Sequence, residues 1–164
     1  MPVGFKNGTD GNIQVAVDGV KAAAAQHVFF GMDDLGRGAL VSTEGNDDCH
    51  VILRGGTGGP NSDAQSVHTT VAKLTAAGLP GRVVIDCSHA NSGKDHVRQA
   101  GVAAEVAQLV RDGLPVSGVM LESFLVAGAQ APEARPLTYG QSVTDKCMDW
   151  PATSAVLREL ARRG

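Results

Sequence analysis

The chain has 164 residues, 43% hydrophobic and 19% charged, a composition typical of one globular domain rather than a disordered segment. A net charge of −3 and 4% aromatic residues provide neither a broad basic surface nor stacking platforms, which excludes nucleic acid and anionic membranes as expected partners. No apolar run approaches the roughly 20 residues of a membrane span, and the three cysteines lack the spacing of a disulfide framework or zinc site. We therefore expect a cytoplasmic protein with reduced thiols.

Short apolar strands alternate with amphipathic helices along the chain. The predicted strands cover residues 2–5, 49–53, 82–86 and 116–121. The predicted helices cover residues 11–25, a segment ending at residue 78, a segment around residues 102–110, and residues 151–163. Such alternation is typical of an α/β protein whose parallel sheet is covered by helices. No linker composition interrupts it, so residues 1–164 are predicted to form a single domain.

Several local features are predicted within this pattern. Asp10 is expected to cap the first helix, and the last helix is expected to bury Leu157 together with Val156 and Leu160. Tyr139 and Trp150 are interpreted as packing anchors rather than substrate platforms. Residues 27–43 interrupt the alternation, because two apolar runs flank a turn at residues 33–36, which predicts an inserted β-hairpin.

Ionisable side chains stand where each predicted parallel strand gives way to its loop. They are Lys6, Arg54, Asp86 with His89, and Glu122. Because the carboxyl ends of parallel strands meet at one edge of a sheet, we expect these groups to converge on one site.

Lys6 and Arg54 together favour an anionic substrate such as a phosphate ester. The glycines after Arg54 would let backbone amides approach an anion that the guanidinium holds. These glycines fit neither the Walker nor the dinucleotide-binding pattern. In the alternative interpretation, Lys6 is a solvated loop lysine and Arg54 pairs with a carboxylate.

One imidazole and two carboxylates, those of His89, Glu122 and Asp145, are a donor set that suits a divalent first-row metal. Their wide separation in sequence leaves the ordinary alternative open, in which they are loop, rim and salt-bridge residues. Cys87 lies two residues before His89 and could supply a thiolate, but we interpret it as a small buried hydrophobic residue.

Five sequence blocks resemble the class I 3-deoxy-D-arabino-heptulosonate 7-phosphate (DAHP) synthases and occur in that family's order. They are PVGFKNGTDG at residues 2–11, DCHVILRGG at 48–56, IDCSHANS at 85–92, GVMLES at 118–123 and YGQSVTD at 139–145. The resemblance implies the (β/α)8 TIM-barrel family, with this chain carrying the last four βα units as a half barrel plus the inserted hairpin.

The resemblance also implies the first step of the shikimate pathway, which leads to aromatic amino acids. Phosphoenolpyruvate condenses there with erythrose 4-phosphate to give DAHP and phosphate, aided by a divalent metal (Mn, Fe or Co) that acts as a Lewis acid. By motif, Lys6 and Arg54 match phosphoenolpyruvate-binding positions, with Lys6 as a candidate proton donor. His89, Glu122 and Asp145 match three metal ligands.

Other family features are not found in these residues. They are the cysteine that supplies a fourth metal ligand, the Lys-Pro-Arg-Thr segment that holds the erythrose phosphate, and further arginines around phosphoenolpyruvate. We therefore expect either a complementing chain with the N-terminal half or a homo-oligomer. Two alternatives stay open: a non-catalytic phosphoenolpyruvate- or metal-binding remnant or regulatory partner of a full-length synthase, and a truncated chain that starts at an internal methionine.

Overall fold

The structure, a computed structural model, describes residues 1–162, and its elements are numbered here in chain order. The strands are β1 (Val3–Lys6), β2 (His27–Met32), β3 (Gly38–Thr43), β4 (Cys49–Leu53), β5 (Val83–Asp86), β6 (Val116–Met120), β7 (Val126–Ala129) and β8 (Gln141–Ser142). The helices are α1 (Gln14–Ala24), α2 (Ala64–Ala76), α3 (His89–Ser92), α4 (Arg98–Arg111) and α5 (Trp150–Leu160). None of these helices is long and apolar enough to cross a bilayer.

The central sheet has four parallel strands in the order β1-β4-β5-β6. The strands of this sheet lie side by side in the order in which they occur along the chain, with β2 and β3 outside the sheet. Right-handed crossovers between such strands place the connecting helices on the same side. One core cluster accordingly joins residues of α1, α2, α4 and α5 to alternate residues of the sheet, including Val51, Leu53, Val83 and Ile85. The predicted α/β fold with a parallel sheet is therefore confirmed. Cys87 is fully buried in this core, as predicted.

The other face of the sheet carries the intervening strand residues, His50, Ile52 and Val84 among them. A cavity of about 260 Å³ opens there near the amino ends of the strands, lined partly by His50, Val84 and Ser117. The core therefore lies on one side of a sheet whose second side stays partly open.

Residues 27–43 contain an antiparallel pair, β2 with β3, that runs from His27 opposite Thr43 to Met32 opposite Gly38. Asp33 organises the turn, because its Oδ1 accepts hydrogen bonds from the backbone N–H groups of Leu35 and Arg37. Phe30 and Leu40 face each other across the pair, and both are 78% exposed.

The predicted cap of the first helix is wrong. α1 begins at Gln14, and its N-cap position carries no side-chain hydrogen bond. Asp10 instead accepts a hydrogen bond from the N–H of Asn12, whose own side chain accepts from the N–H of Gln14. In these two successive turns, short polar side chains accept hydrogen bonds from the backbone in place of a helical turn. The helix therefore begins at Gln14, three residues after the predicted start at residue 11.

The last helix is capped by Asp149, which accepts a hydrogen bond from the N–H of Ala152. Val156 is buried as predicted, but Leu157 is 48% exposed, so that part of the prediction is wrong. Trp150 and Leu157 are seven residues apart and therefore share one flank of α5, beside the face that enters the core. Trp150 and Tyr139 are both exposed and do not act as packing anchors among residues 1–162. The predicted helix end at residue 163 lies outside the described residues.

Truncating Leu53 to alanine should cost about 2–5 kcal/mol of unfolding free energy, as for other leucines in packed cores. Leu53 is fully buried at the end of β4, one of the two inner strands of the sheet. The control is Leu157→Ala, which removes the same atoms from a half-exposed position and should cost clearly less. Urea unfolding measures both values, and equal losses would contradict this assignment of the core.

Candidate metal and anion site

The strand ends place four charged residues along the carboxyl edge of the central sheet. Lys6 ends β1 and Asp86 ends β5, while Arg54 directly follows β4. Asp86 lies opposite Met120 of β6, and Glu122 follows two residues later. These positions agree with the convergence expected from the alternation of strands and helices.

The buried carboxylate of Asp86 is the centre of a hydrogen-bond network. Its Oδ2 accepts from Lys6 Nζ at 2.8 Å and from His89 Nδ1 at 2.9 Å, and its Oδ1 accepts from the N–H of Ser88 at 2.9 Å. Burial by itself raises the pKa of Asp86, but the hydrogen bonds from Lys6 and Ser88 outweigh that effect and lower the pKa. Asp86 is therefore an anion at neutral pH and holds the Lys6 ammonium and the His89 ring in place.

His89 sits in an unusual backbone conformation that directs its ring. Its φ is +48°, in the left-handed region that residues other than glycine seldom adopt. The N–H of Lys94, which also has a positive φ of 60°, donates to the carbonyl of His89 at 2.7 Å and closes the turn. With Nδ1 assigned as the donor to Asp86, Nε2 faces Glu122, the arrangement of a metal-ligating histidine.

The three predicted metal ligands, His89, Glu122 and Asp145, come together in the structure. One ligand atom from each lies within 4.8 Å of the other two, and His89 Nε2 is 3.5 Å from Glu122 Oε1. Burial raises the pKa of Glu122, and the charge of Asp145 raises it further, while His89 acts in the opposite direction. A cation between these groups would relieve that repulsion. The donor set and the spacing therefore fit a divalent metal.

Two polar residues that the sequence analysis did not identify support these ligands. Buried Gln99 accepts a hydrogen bond from the N–H of Glu122 through Oε1 at 3.0 Å. Lys94 Nζ lies 3.5 Å from Asp145 Oδ1. Gln99 has a signal in the sequence, because it falls three residues before Val102 on the apolar face of a helix, where a polar residue is out of place.

Arg54 makes no ion pair within residues 1–162, so the interpretation that it pairs with a carboxylate is not supported there. Arg54 is partly buried and directly precedes the glycine-rich loop. Lys6 is not a freely solvated lysine either, because it is ion-paired with Asp86. Among the described residues, Arg54 is thus an unpaired cation, and Lys6 is a cation paired with the buried carboxylate of Asp86. The two cations lie at the ends of neighbouring strands.

Three asparagines that the sequence analysis also missed join the loops of this edge. Asn7 accepts from the N–H of Arg54 and donates to the carbonyl of Gly55, at 2.8 and 2.9 Å. Asn61 accepts from the N–H of Gly55 at 2.6 Å. Asn91 donates to the backbone carbonyls of β4 and β5 through Nδ2. These amides satisfy buried backbone groups and so fix the loops relative to one another.

A parallel βα sheet with a histidine–carboxylate cluster at its carboxyl edge is typical of α/β enzymes that bind a metal. The model of the DAHP synthetase I family matches residues 1–158. The chain belongs to this family, which confirms the resemblance inferred from the five sequence blocks.

Three of the relatives that match are about twice as long as this chain. It is 55% identical to the phospho-2-dehydro-3-deoxyheptonate aldolase of Corynebacterium glutamicum and 51% identical to the Phe-sensitive enzyme of that name from Escherichia coli, covering 98% of this chain and 46% of each relative. The solved structure of the Francisella tularensis protein of that name superimposes with a TM-score of 0.92 at 48% identity, covering 98% of this chain and 49% of that one. The chain thus spans about half the length of these relatives.

Proposed function

We propose that this chain supplies the metal site and part of the phosphoenolpyruvate site of a DAHP synthase. The reaction joins phosphoenolpyruvate to erythrose 4-phosphate and releases phosphate, the first step of aromatic amino acid biosynthesis. The observation that carries the proposal is the cluster of His89, Glu122 and Asp145 at the same sheet edge as Lys6 and Arg54, in a member of this family.

Charge, position and the motifs of the family support the following roles. Arg54 and Lys6 bind the anionic groups of phosphoenolpyruvate. Carbon 3 of that substrate forms a bond to the aldehyde carbon of erythrose 4-phosphate, and Lys6 donates a proton to the aldehyde oxygen. Water then adds at carbon 2, and the bond from carbon 2 to the phosphate oxygen breaks, so that carbon 2 becomes a ketone and phosphate leaves. One proton of the water replaces the proton that Lys6 gave, and the other leaves with phosphate. A divalent cation (Mn, Fe or Co) held by His89, Glu122 and Asp145 would polarise the aldehyde.

We further propose that residues 1–164 form one domain that is half of a (β/α)8 barrel. The sequential strand order, the helices on one side and the partly open second face support this. A barrel of this type needs eight βα units, and the chain spans about half of its relatives. The β2–β3 hairpin is then an insertion between the first two of these four units.

The open face and the free edges of β1 and β6 call for a covering partner. We propose that four further βα units cover them, either from a complementing N-terminal half or, in part, from association of copies of this chain. A self-associated pair would restore the shape of a barrel without supplying the residues for the erythrose phosphate.

Because the substrates are phosphorylated metabolites, we place the protein in the cytoplasm.

A second candidate is a module that binds phosphoenolpyruvate and metal without turnover, as a remnant or regulatory partner. The observation that favours it is the coverage of about half of each relative, because the segment that holds the erythrose phosphate is not among these residues.

The two candidates are separated by restoring the missing half. A chimera that joins the first half of the Corynebacterium glutamicum relative to this chain should release phosphate from the two substrates with Mn²⁺, whereas this chain alone should not. The same chimera with Glu122→Gln is the control and should be inactive. A folded chimera that binds Mn²⁺ and phosphoenolpyruvate but releases no phosphate would favour the binding module.

A further inference from the structure

One carboxylate oxygen touches both parts of the site. Asp86 Oδ2 accepts a hydrogen bond from Lys6 Nζ at 2.8 Å and another from His89 Nδ1 at 2.9 Å. Lys6 and Arg54 form the proposed anion site, whereas His89 belongs to the proposed metal site with Glu122 and Asp145. Lys6 and His89 are 83 positions apart in sequence (89 − 6). Asp86 therefore joins these two parts of the site through hydrogen bonds to a single oxygen atom.

We propose that Asp86 is a positioning residue that couples metal binding to anion binding, so that each ligand raises the affinity for the other. This inference rests on the proposed function, because it takes the metal and phosphoenolpyruvate as the two ligands.

The sign of the coupling follows from the sharing of one oxygen. A cation at His89 Nε2 withdraws electrons from the ring, so Nδ1–H becomes a stronger donor to Asp86 Oδ2. The hydrogen bond from His89 to that oxygen then strengthens, and the hydrogen bond from Lys6 to the same oxygen weakens. The ammonium of Lys6 is consequently freer to turn toward an incoming anion, and the anion binds more tightly. By linkage, the anion strengthens metal binding by the same factor.

The surroundings of Asp86 make the coupling effective. The carboxylate is 1% exposed, so water does not replace either donor. Ser88 donates to Oδ1 through both its N–H and its hydroxyl, which fixes the carboxylate. Ser88 Oγ also lies 2.7 Å from His89 Nδ1, so Ser88 belongs to the same network and shares the Nδ1–H with Asp86 Oδ2. Asn91 donates to the backbone carbonyl of Asp86 at 2.8 Å and holds the end of the strand.

The test measures two dissociation constants on the full chain, each with and without the other ligand. Electron paramagnetic resonance gives the Kd for Mn²⁺, and calorimetry gives the Kd for phosphoenolpyruvate. In the wild type, saturating Mn²⁺ should tighten phosphoenolpyruvate binding about fivefold or more, within the usual range of coupling between sites. In Asp86→Asn, Mn²⁺ should bind about 10–100-fold more weakly. The coupling factor should fall at least about threefold, because Lys6 and His89 no longer share an anion.

Two further variants separate coupling from damage to the fold. Asp63→Asn makes the same chemical change at the N-cap of α2, away from the site, and should keep the wild-type coupling factor. Lys6→Gln leaves Asp86 to His89 alone and should bind Mn²⁺ at least as tightly as the wild type, so the proposal stays testable if Asp86→Asn does not fold.

The outcomes are distinguishable. Wild-type protein that binds neither ligand would overturn the proposed function and this inference together. Binding of both ligands without mutual effect, or an unchanged coupling factor in folded Asp86→Asn, would overturn the coupling alone. Weaker Mn²⁺ binding in Lys6→Gln would also contradict it.

Discussion

Replacing Glu122 with glutamine should weaken Mn²⁺ binding at least about 100-fold, since even changes to outer partners of metal ligands cost about 10–100-fold. Glu122 supplies one of the two carboxylates in a cluster whose ligand atoms lie within 4.8 Å of one another. The variant removes a full negative charge and a strong oxygen ligand but keeps the size of the side chain.

The metal-free protein should not lose stability from this change. Burial raises the pKa of Glu122, so the folded state favours its protonated form. A carboxyl with a raised pKa contributes stability at low pH, below its value in the unfolded chain, and loses that contribution as the pH rises through its folded value. Glutamine mimics the protonated form, so metal-free Glu122→Gln should be at least as stable as the wild type at neutral pH.

Thermal unfolding with and without Mn²⁺ measures both effects. Metal at about 100 times the wild-type Kd should stabilise the wild type by about 2.7 kcal/mol and Glu122→Gln by no more than about 0.4 kcal/mol. Glu105→Gln, an exposed position on α4, is the matched control and should behave as the wild type. A wild-type Mn²⁺ response in Glu122→Gln would exclude this cluster as the metal site.

Replacing Gly56 with alanine should destabilise the fold by about 3 kcal/mol, at the upper end of the cost of overpacking. A Cβ at Gly56 would overlap the amide nitrogen of Gly11 and lie 2.5 Å from its Cα. Both are backbone atoms, so no side chain can rotate away. The loop after β1 and the glycine-rich loop after β4 would have to separate, although Thr57 N–H and Thr9 carbonyl hold them together at 2.9 Å.

Gly58→Ala is the control for this prediction, because a Cβ at that position meets nothing within 4 Å. Urea unfolding should show a large loss for Gly56→Ala and a small change for Gly58→Ala. The loop after β1 follows Lys6, and the loop after β4 carries Arg54. The affinity for phosphoenolpyruvate should therefore fall in Gly56→Ala and not in Gly58→Ala. Equal stabilities of the two variants would show that the loops are not in contact.

The strand ends were predictable because they depend on short-range patterns. A run of apolar residues followed by a charged one identifies where a buried strand meets its loop, and this placed Lys6, Arg54, Asp86 and Glu122 at the same edge. The metal ligands were also predicted as a set, from donor chemistry and from the sequence blocks of the family. Asp145 is the hardest of them to place from sequence, because it lies in a loop after β8 and not at the end of a strand of the central sheet.

The errors lie where several local arrangements have similar energies. Asp10 satisfies either a helix N-cap or a side-chain turn, and the contact of its loop with Gly56 accompanies the second. Leu157 and Trp150 are hydrophobic residues on an amphipathic helix, and only the packing of α5 against α4 decides which flank enters the core. Composition and periodicity do not contain that information.

The amino-acid sequence alone determined the order of the four central strands and of the helices α1, α2, α4 and α5, the parallel sheet and the residue types at its carboxyl edge, because hydrophobic periodicity and turn residues act over a few positions. It did not predict α3 or the short strands β7 and β8. Tertiary structure alone decided that His89, Glu122 and Asp145 meet within 4.8 Å and that Asp86 joins Lys6 to His89. Those distances depend on strand register and on loops fixed by buried asparagines, and such long-range contacts form only when the whole sheet is assembled.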